Sequence, residues 1–114
     1  MRFAEERIGD VVVLTPAGDM DITVLPAFEA RVSVLIGQGT RGLLWDLVHV
    51  RLLPSTAAGF LIGASRRIRA IGGRTAVARA GRLATTTLRM MGVTDILPLF
   101  ASRDEALAHL TPAP

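Results

Sequence analysis

The sequence predicts an α/β fold, with a single mixed, mostly parallel sheet, an N-terminal antiparallel hairpin and about four helices. Short β-branched or apolar runs alternate along the chain with segments of helical periodicity. The spacing leaves room for one helix between successive strands, which indicates parallel strands joined by right-handed crossovers. At the front, the Gly9-Asp10 turn separates strands predicted at Phe3–Arg7 and Val11–Thr15, which is typical of a hairpin.

The first helix follows a turn-rich connection from Pro16 to Asp21. Thr23 is expected to cap this helix, and Pro26 falls in its first turn, where proline costs little. Gly37-Gln38-Gly39 supplies glycine for a left-handed stop. One helical face collects the apolar side chains, which are Leu25, Phe28, Val32, Leu35 and Ile36.

The remaining elements alternate in the same way. A strand buried on both faces is predicted at Leu43–Val48, and a capping box of Ser102 and Glu105 opens the last helix, which runs through Leu110. Helical spacing in the third helix predicts that Leu83, Thr87, Met90 and Met91 share its packed side. Between these elements we expect a helix at Thr56–Ile71, a strand at Thr75–Ala78, a helix at Leu83–Met91 and a strand at Ile96–Phe100.

Composition limits the classes of protein to consider. A chain of 114 residues with 50% hydrophobic and 20% charged residues fits one folded domain, expected at 1–110, followed by a disordered tail at 111–114. The absence of cysteine excludes disulfides and thiolate metal sites. No apolar run reaches the ~18–20 residues that span a bilayer, so we expect no membrane insertion and a cytoplasmic location.

The charge pattern argues against nucleic acid as a partner. All 13 basic residues are arginine, and the formal net charge is only +3. Binders of nucleic acid usually combine a basic face with stacking aromatic side chains. Here one Trp and four Phe occur, most of them inside apolar patterns.

The junction between the buried strand and the next helix is the strongest candidate functional site. Pro54, Ser55 and Thr56 place a pair of hydroxyl groups where that helix begins. We expect Ser55 to lie within one residue of the helix start with its side chain accessible to solvent, and to cap the helix by accepting a backbone N–H that has no partner within it. Capping alone, without a further role, is one interpretation of this serine. The same position lies at the carboxyl end of a parallel strand, where functional groups gather in such sheets.

Catalytic and metal sites find no support in the sequence. His49 and His109 lie far apart, and neither has metal-ligand spacing with another histidine or acid. A triad of Ser55, His49 and Asp46 lacks the Gly-x-Ser-x-Gly elbow that projects a nucleophile. Gly72-Gly73 ends a helix instead of opening one, so it is not a phosphate loop. We therefore expect no catalytic residue, metal ligand or cofactor.

Three stretches of the chain resemble the STAS domain, the family of bacterial anti-sigma factor antagonists and related modules. Val11–Asp21 resembles the family's strand and Gly-x-Leu-Asp turn, and Asp46–Gly59 resembles its strand end and Asp-Ser-Ser-Gly phosphorylation loop. Ile96–Leu110 resembles the closing strand and helix. Together these stretches span nearly the whole chain.

The resemblance implies a protein-binding module that regulates transcription by partner switching. It places the phosphorylated serine on Ser55, with Thr56 as the alternative, and the expected partner is an anti-sigma factor of the serine kinase type. Pro54 stands where the family has Asp, and Ala57 where it has the Gly after the hydroxyl pair. The residues expected to contact the partner are Asp21, Pro54, Ser55, Thr56, Ala57 and Gly59.

Alternatives to this function remain open. Pro54 in place of the family's acid favours a STAS-type ligand-binding or scaffold subunit that is not phosphorylated, for example in a lipid-transport complex or a signalling assembly. A homodimer is also left open. For Asp21 itself, the alternative is plain turn chemistry.

Overall fold

Five strands form one mixed sheet in the computed structural model, which describes residues 2–111. The order across the sheet equals the order along the chain: β1 (Phe3–Ile8), β2 (Val11–Pro16), β3 (Gly42–Asp46), β4 (Arg74–Ala78) and β5 (Leu99–Phe100). The helices between and after them are α1 (Leu25–Gly37), α2 (Ser55–Ala70), α3 (Arg82–Met90) and α4 (Arg103–Leu110). The predicted fold class is confirmed. Of the tail expected at 111–114, residues 112–114 lie outside the described residues.

The N-terminal hairpin forms at the predicted place. Strands β1 and β2 pair antiparallel from Phe3 opposite Pro16 to Ile8 opposite Val11, which leaves Gly9 and Asp10 as a two-residue turn. Gly9 has a φ of 60°, a conformation that costs glycine little and that tight hairpin turns require.

Two layers of helices cover the parallel part of the sheet. Strands β2 to β5 run parallel, and α1, α2 and α3 contribute Phe28, Leu61 and Leu88 to the larger core cluster around Trp45. Helix α4 covers the other face, where Ala106 and Leu110 pack in a second cluster whose strand members are Val11, Val13, Leu44, Ala76 and Ala78. Strands buried on both faces explain the near-continuous apolar runs in the sequence.

The last strand is shorter than predicted. We expected Ile96–Phe100, but pairing with β4 begins only at Leu99. The backbone N–H groups of Ile96 and Leu97 both donate to the carbonyl of Val93, and Pro98 has no N–H to donate. A turn therefore occupies the first two positions of the predicted strand, and Pro98 contributes only its carbonyl, which accepts the N–H of Val77 on β4 at 2.9 Å.

The predicted packing side of α3 is wrong. Ala84 and Leu88 are buried, whereas Leu83 is 51% exposed, Met90 82% and Met91 39%. The predicted cap of α1 is wrong as well, because Val24 holds the cap position and Thr23 instead donates its backbone N–H to Asp21. The cap predicted for α4 is confirmed, since the Ser102 hydroxyl accepts from the backbone N–H of Glu105 at 3.2 Å.

Candidate protein-binding site

The predicted site residues lie on connections that leave the carboxyl ends of neighbouring strands. Residues 17–24 follow β2, and residues 47–54 follow β3. Because β2 and β3 are paired and parallel, these two connections emerge at the same edge of the sheet. We call this end of the molecule the carboxyl edge.

Ser55 is the first residue of α2, and its side chain is exposed. The prediction that it lies at a helix start within reach of solvent is therefore confirmed, but the prediction that it caps the helix is wrong. Pro54 occupies the cap position with extended backbone (φ −60°, ψ 155°), and its carbonyl accepts from the N–H of Ala58 at 2.9 Å. The Ser55 hydroxyl makes no capping hydrogen bond, so the capping of α2 does not depend on it.

The other predicted contact residues divide by exposure. Pro54, Thr56 and Gly59 are exposed beside Ser55. The Ala57 side chain is fully buried in the core beneath α2. Ala57 thus anchors the first turn of the helix, and its side chain is not available to a partner.

Asp21 is exposed and organises its own turn. Its carboxylate accepts the backbone N–H of Thr23 at 2.9 Å and also the Thr23 hydroxyl. The hydroxyl bond, and then the backbone bond, lower the pKa of Asp21 below its ordinary value.

Asp19 ties the two carboxyl-edge connections together, and the sequence did not reveal it. Its carboxylate accepts backbone N–H groups from Leu52 at 3.0 Å and from Arg51 at 2.7 Å. These two bonds, Leu52 first, lower the pKa of Asp19. The neighbouring Met20 is buried, so it anchors the connection after β2 in the core. Asp19, next to it in the chain, is the residue that holds the loop before Ser55.

Exposed apolar side chains lie on and beside the connection after β3, and we call them the apolar rim. Val48 is 41% exposed and Leu52 46%, both on the connection that ends at Ser55, and Ile22 is exposed on the connection after β2. Leu83 is exposed in the first turn of α3. This helix begins next to the connection after β3, because a Cβ built at its cap residue Gly81 would lie 4.0 Å from the Val50 carbonyl oxygen. Exposed apolar side chains beside polar groups are typical of protein-binding surfaces.

Asp46 is fully buried at the end of β3 and is held by two arginines. The guanidinium groups of Arg79 and Arg103 both bond to it, with Arg103 Nε at 2.6 Å from Oδ2. Burial alone would raise the pKa of Asp46, but the bonds from Arg79 and Arg103 outweigh that effect and hold the pKa below its ordinary value. Arg103 also bonds to Glu6 on β1 at 2.7 Å, so this cluster joins β1, β3 and α4.

The hypothetical triad of Ser55, His49 and Asp46 is not assembled. Within residues 2–111, Asp46 bonds to arginines and to the N–H of Val48, and no hydrogen bond links Ser55, His49 and Asp46 to one another. His49 is exposed in the turn after β3, and His109 is half-buried with its ring centroid 5.3 Å from that of Phe100. The same residues contain no cluster of three metal-ligating side chains and no helix long and apolar enough to cross a membrane.

Residues 2–106 match the family model described as the STAS domain, so this chain belongs to the STAS domain family. An anti-sigma F factor antagonist of Lysinibacillus sphaericus is 30% identical over 77 residues, and the chain spans 66%, just under two thirds, of that relative's length.

Two solved structures show the same fold. An anti-sigma factor antagonist from Mycobacterium paratuberculosis has a TM-score of 0.84 at 22% identity, covering 95% of this chain and 92% of that one. The phosphorylated form of the Bacillus cell fate determinant SpoIIAA has a TM-score of 0.78 at 22% identity, covering 96% and 99%.

Proposed function

We propose that this chain is an anti-sigma factor antagonist that binds a kinase-type anti-sigma factor in the cytoplasm through its carboxyl edge, and that phosphorylation of Ser55 releases the partner. One observation carries the proposal: the Ser55 hydroxyl is exposed at the start of α2, free of a capping bond, beside an apolar rim. Membership of a family that contains anti-sigma factor antagonists supports it.

Phosphorylation would change the surface without unfolding the domain. A phosphoserine adds about −1.5 to −2 charges, which the amino terminus of α2 tolerates because its unpaired N–H groups and dipole favour anions. A partner that packs on Val48, Leu52 and Leu83 would then have to bury that charge, so binding is expected to weaken. ATP on the partner supplies the phosphoryl group, and this chain acts as substrate and binder.

A module that binds without being switched is the second candidate. Pro54 favours it, because the position that carries an acid in the family's phosphorylation loop here holds an exposed proline. In that case the same surface would join a ligand-binding or scaffold assembly, or a second copy of the chain, and Ser55 would remain unmodified.

The test compares partner capture by wild type, Ser55→Asp and Ser55→Ala, with identification by mass spectrometry and affinities measured on the recovered partner. If the charge at this position controls binding, Ser55→Asp should weaken binding by about 1–3 kcal/mol, roughly 5- to 150-fold in Kd, while Ser55→Ala should change it less. Gln38→Glu is the matched control, since it adds the same charge to an exposed residue after α1, at the opposite end of the sheet. Equal affinity of all four proteins, or a partner unrelated to anti-sigma factors, contradicts the proposal.

A further inference from the structure

The arginines and the acidic residues are distributed unevenly along the chain. Residues 47–94 contain eight of the 13 arginines and none of the ten acidic residues. This segment comprises the connection after β3, α2, β4 and α3, so both of its helices carry arginine without any acidic side chain. A charge asymmetry of this kind within one chain is typical of proteins that bind an anionic macromolecule or surface.

The outward side of α3 combines arginine with apolar side chains. Ala84 and Leu88 face the core, and at 3.6 residues per turn the opposite side of the helix is centred on Thr86. Four exposed residues flank Thr86 in two pairs, and the members of each pair lie about 10 Å apart along the helix axis. The pairs are Arg82 with Arg89 and Leu83 with Met90. We call these five residues the α3 stripe.

Packing and helix stability do not account for the α3 stripe. Arg82 is the first residue of α3, where the helix dipole disfavours a cation, and no acidic residue lies in the first turn to offset it. Met90 is 82% exposed and Leu83 51%, so neither belongs to the core. Within residues 2–111, neither Arg82 nor Arg89 forms an ion pair. The charges and the apolar groups of the stripe are therefore left available to a partner.

Neighbouring elements extend this surface at both ends of α3. At the start of the helix, the connection after β3 passes beside the cap residue and presents the exposed Arg51 and Leu52. At its end, a cleft brings Arg66 of α2 beside residues 92–93, with Asp95 as its one acidic lining residue. Arginine is therefore exposed beside both ends of the stripe.

We infer that the α3 stripe binds an anionic lipid surface, with its arginines on lipid phosphates and with Leu83 and Met90 between the headgroups. A guanidinium group forms paired hydrogen bonds with phosphate oxygens, and a lipid surface offers many phosphates in no fixed arrangement. Exposed apolar side chains beside arginine are typical of helices that lie in the membrane interface. Nucleic acid matches the stripe less well, because α3 has no aromatic side chain on which a base could stack.

Lipid binding of this kind is separate from the proposed partner switching, because it involves neither Ser55 nor a protein partner. Leu83 belongs to both the apolar rim and the α3 stripe, so a lipid surface and a protein partner would compete for it. The chain alone, without any partner, is therefore the material for the test.

Co-sedimentation of the full chain with vesicles measures the binding. Vesicles of phosphatidylcholine and phosphatidylglycerol in equal amounts provide the anionic surface, and vesicles of pure phosphatidylcholine are the neutral control. We expect at least about tenfold tighter binding to the anionic vesicles at low ionic strength. Most of this difference should be lost at about 1 M salt, where charges are screened within ~3 Å.

Arg82→Gln with Arg89→Gln should weaken binding to the anionic vesicles at least about tenfold, since each arginine near such a surface contributes about fivefold. The matched control is Arg7→Gln with Arg41→Gln, which removes the same charge from two exposed residues outside 47–94. This control should change binding by less than about twofold, because separated charges are screened.

Leu83→Ser with Met90→Ser leaves the net charge unchanged and should weaken binding to the anionic vesicles at least about threefold, because it removes the apolar contact. Thermal unfolding of each variant verifies that it is folded. Absence of binding to the anionic vesicles, equal binding to both vesicle compositions, or equal loss in the two arginine variants overturns the inference.

Poly-glutamate serves as the probe for an acidic protein surface, which is the competing occupant. The lipid assignment predicts that poly-glutamate binds the chain more weakly than the anionic vesicles do, and that vesicle binding depends on Leu83 and Met90. Poly-glutamate binding as tight as vesicle binding, together with vesicle binding that Leu83→Ser and Met90→Ser leave unchanged, would identify a protein-docking surface and overturn the inference.

Discussion

Single carboxylates at the carboxyl edge hold segments that are distant in sequence. Asp46 is engaged by Arg79 and Arg103, which lie 33 and 57 residues further along the chain, and Asp19 is bonded to backbone 32 and 33 residues away. Nothing local distinguishes these acids, because Asp46 resembles an ordinary strand end and Asp19 an ordinary turn residue. Their roles depend on which connections the sheet brings together, so the local sequence pattern did not predict the bonds of Asp19 and suggested for Asp46 only a hypothetical triad.

Asp46→Asn should destabilise the fold by about 3 kcal/mol, the lower end of the range for breaking a buried ion pair, since Arg79 and Arg103 are partly exposed. A carboxylate whose pKa is lower in the folded state stabilises the protein above its unfolded pKa of about 3.9. That contribution is lost as the pH falls through the folded value.

Urea unfolding at pH 7 and at about pH 3 measures both effects. Wild type should lose more stability than Asp46→Asn between these two conditions, because the variant has already lost the titrating group. Asp104→Asn, at an exposed residue in the first turn of α4, is the control and should behave like wild type. A wild type and an Asp46→Asn variant with the same acid dependence would contradict this role for Asp46.

Asp19→Ala should loosen the loop before Ser55 without unfolding the domain. The Arg51 and Leu52 N–H groups that it accepts belong to exposed residues and can bond to water instead, so the loss of stability should stay below about 1 kcal/mol. Hydrogen exchange of these two amides should accelerate, and affinity for the partner should fall. Asp21→Ala is the matched control, since Asp21 bonds only within its own turn; faster exchange of the Arg51 and Leu52 amides in that variant as well would refute the assignment.

At the scale of elements, the hairpin, the order of strands and helices, and most boundaries could be predicted from periodicity and turn residues. Helix α3 could not be oriented in this way. This nine-residue helix has apolar side chains on two of its sides, with Ala84 and Leu88 on one and Leu83 and Met90 on the other. By sequence alone, either side could face the core. The structure buries Ala84 and Leu88, and the small Ala84 allows α3 to pack closely.

Leu88→Ala should destabilise the protein by about 2–4 kcal/mol because it leaves a cavity in the core. Met90→Ala removes an 82% exposed side chain and should change the free energy of unfolding by less than about 0.5 kcal/mol. Urea unfolding of both variants distinguishes the two faces. Comparable losses would show that α3 packs in another orientation.

At the scale of the whole molecule, the sequential parallel sheet separates two kinds of surface. The carboxyl edge presents Ser55 beside an apolar rim, and the opposite end of the sheet, where the parallel strands begin, has a cleft lined by Arg41 and Arg74. The sequence predicted Ser55 at a helix start because strand end, proline and hydroxyl pair are adjacent in the chain. The apolar rim of Ile22, Val48, Leu52 and Leu83 was not predicted, since it depends on how α3 and the connection after β2 meet the connection after β3.

Mixing the chain with its recovered partner and Mg-ATP, then mapping phosphorylated peptides, shows whether phosphorylation of Ser55 releases the partner. We expect one phosphoryl group on Ser55, none on Thr56 or in the Ser55→Ala variant, and loss of the modified chain from the complex on gel filtration. A partner that binds the chain and hydrolyses ATP but leaves Ser55 unmodified, or a phosphorylated chain that stays bound, would contradict it.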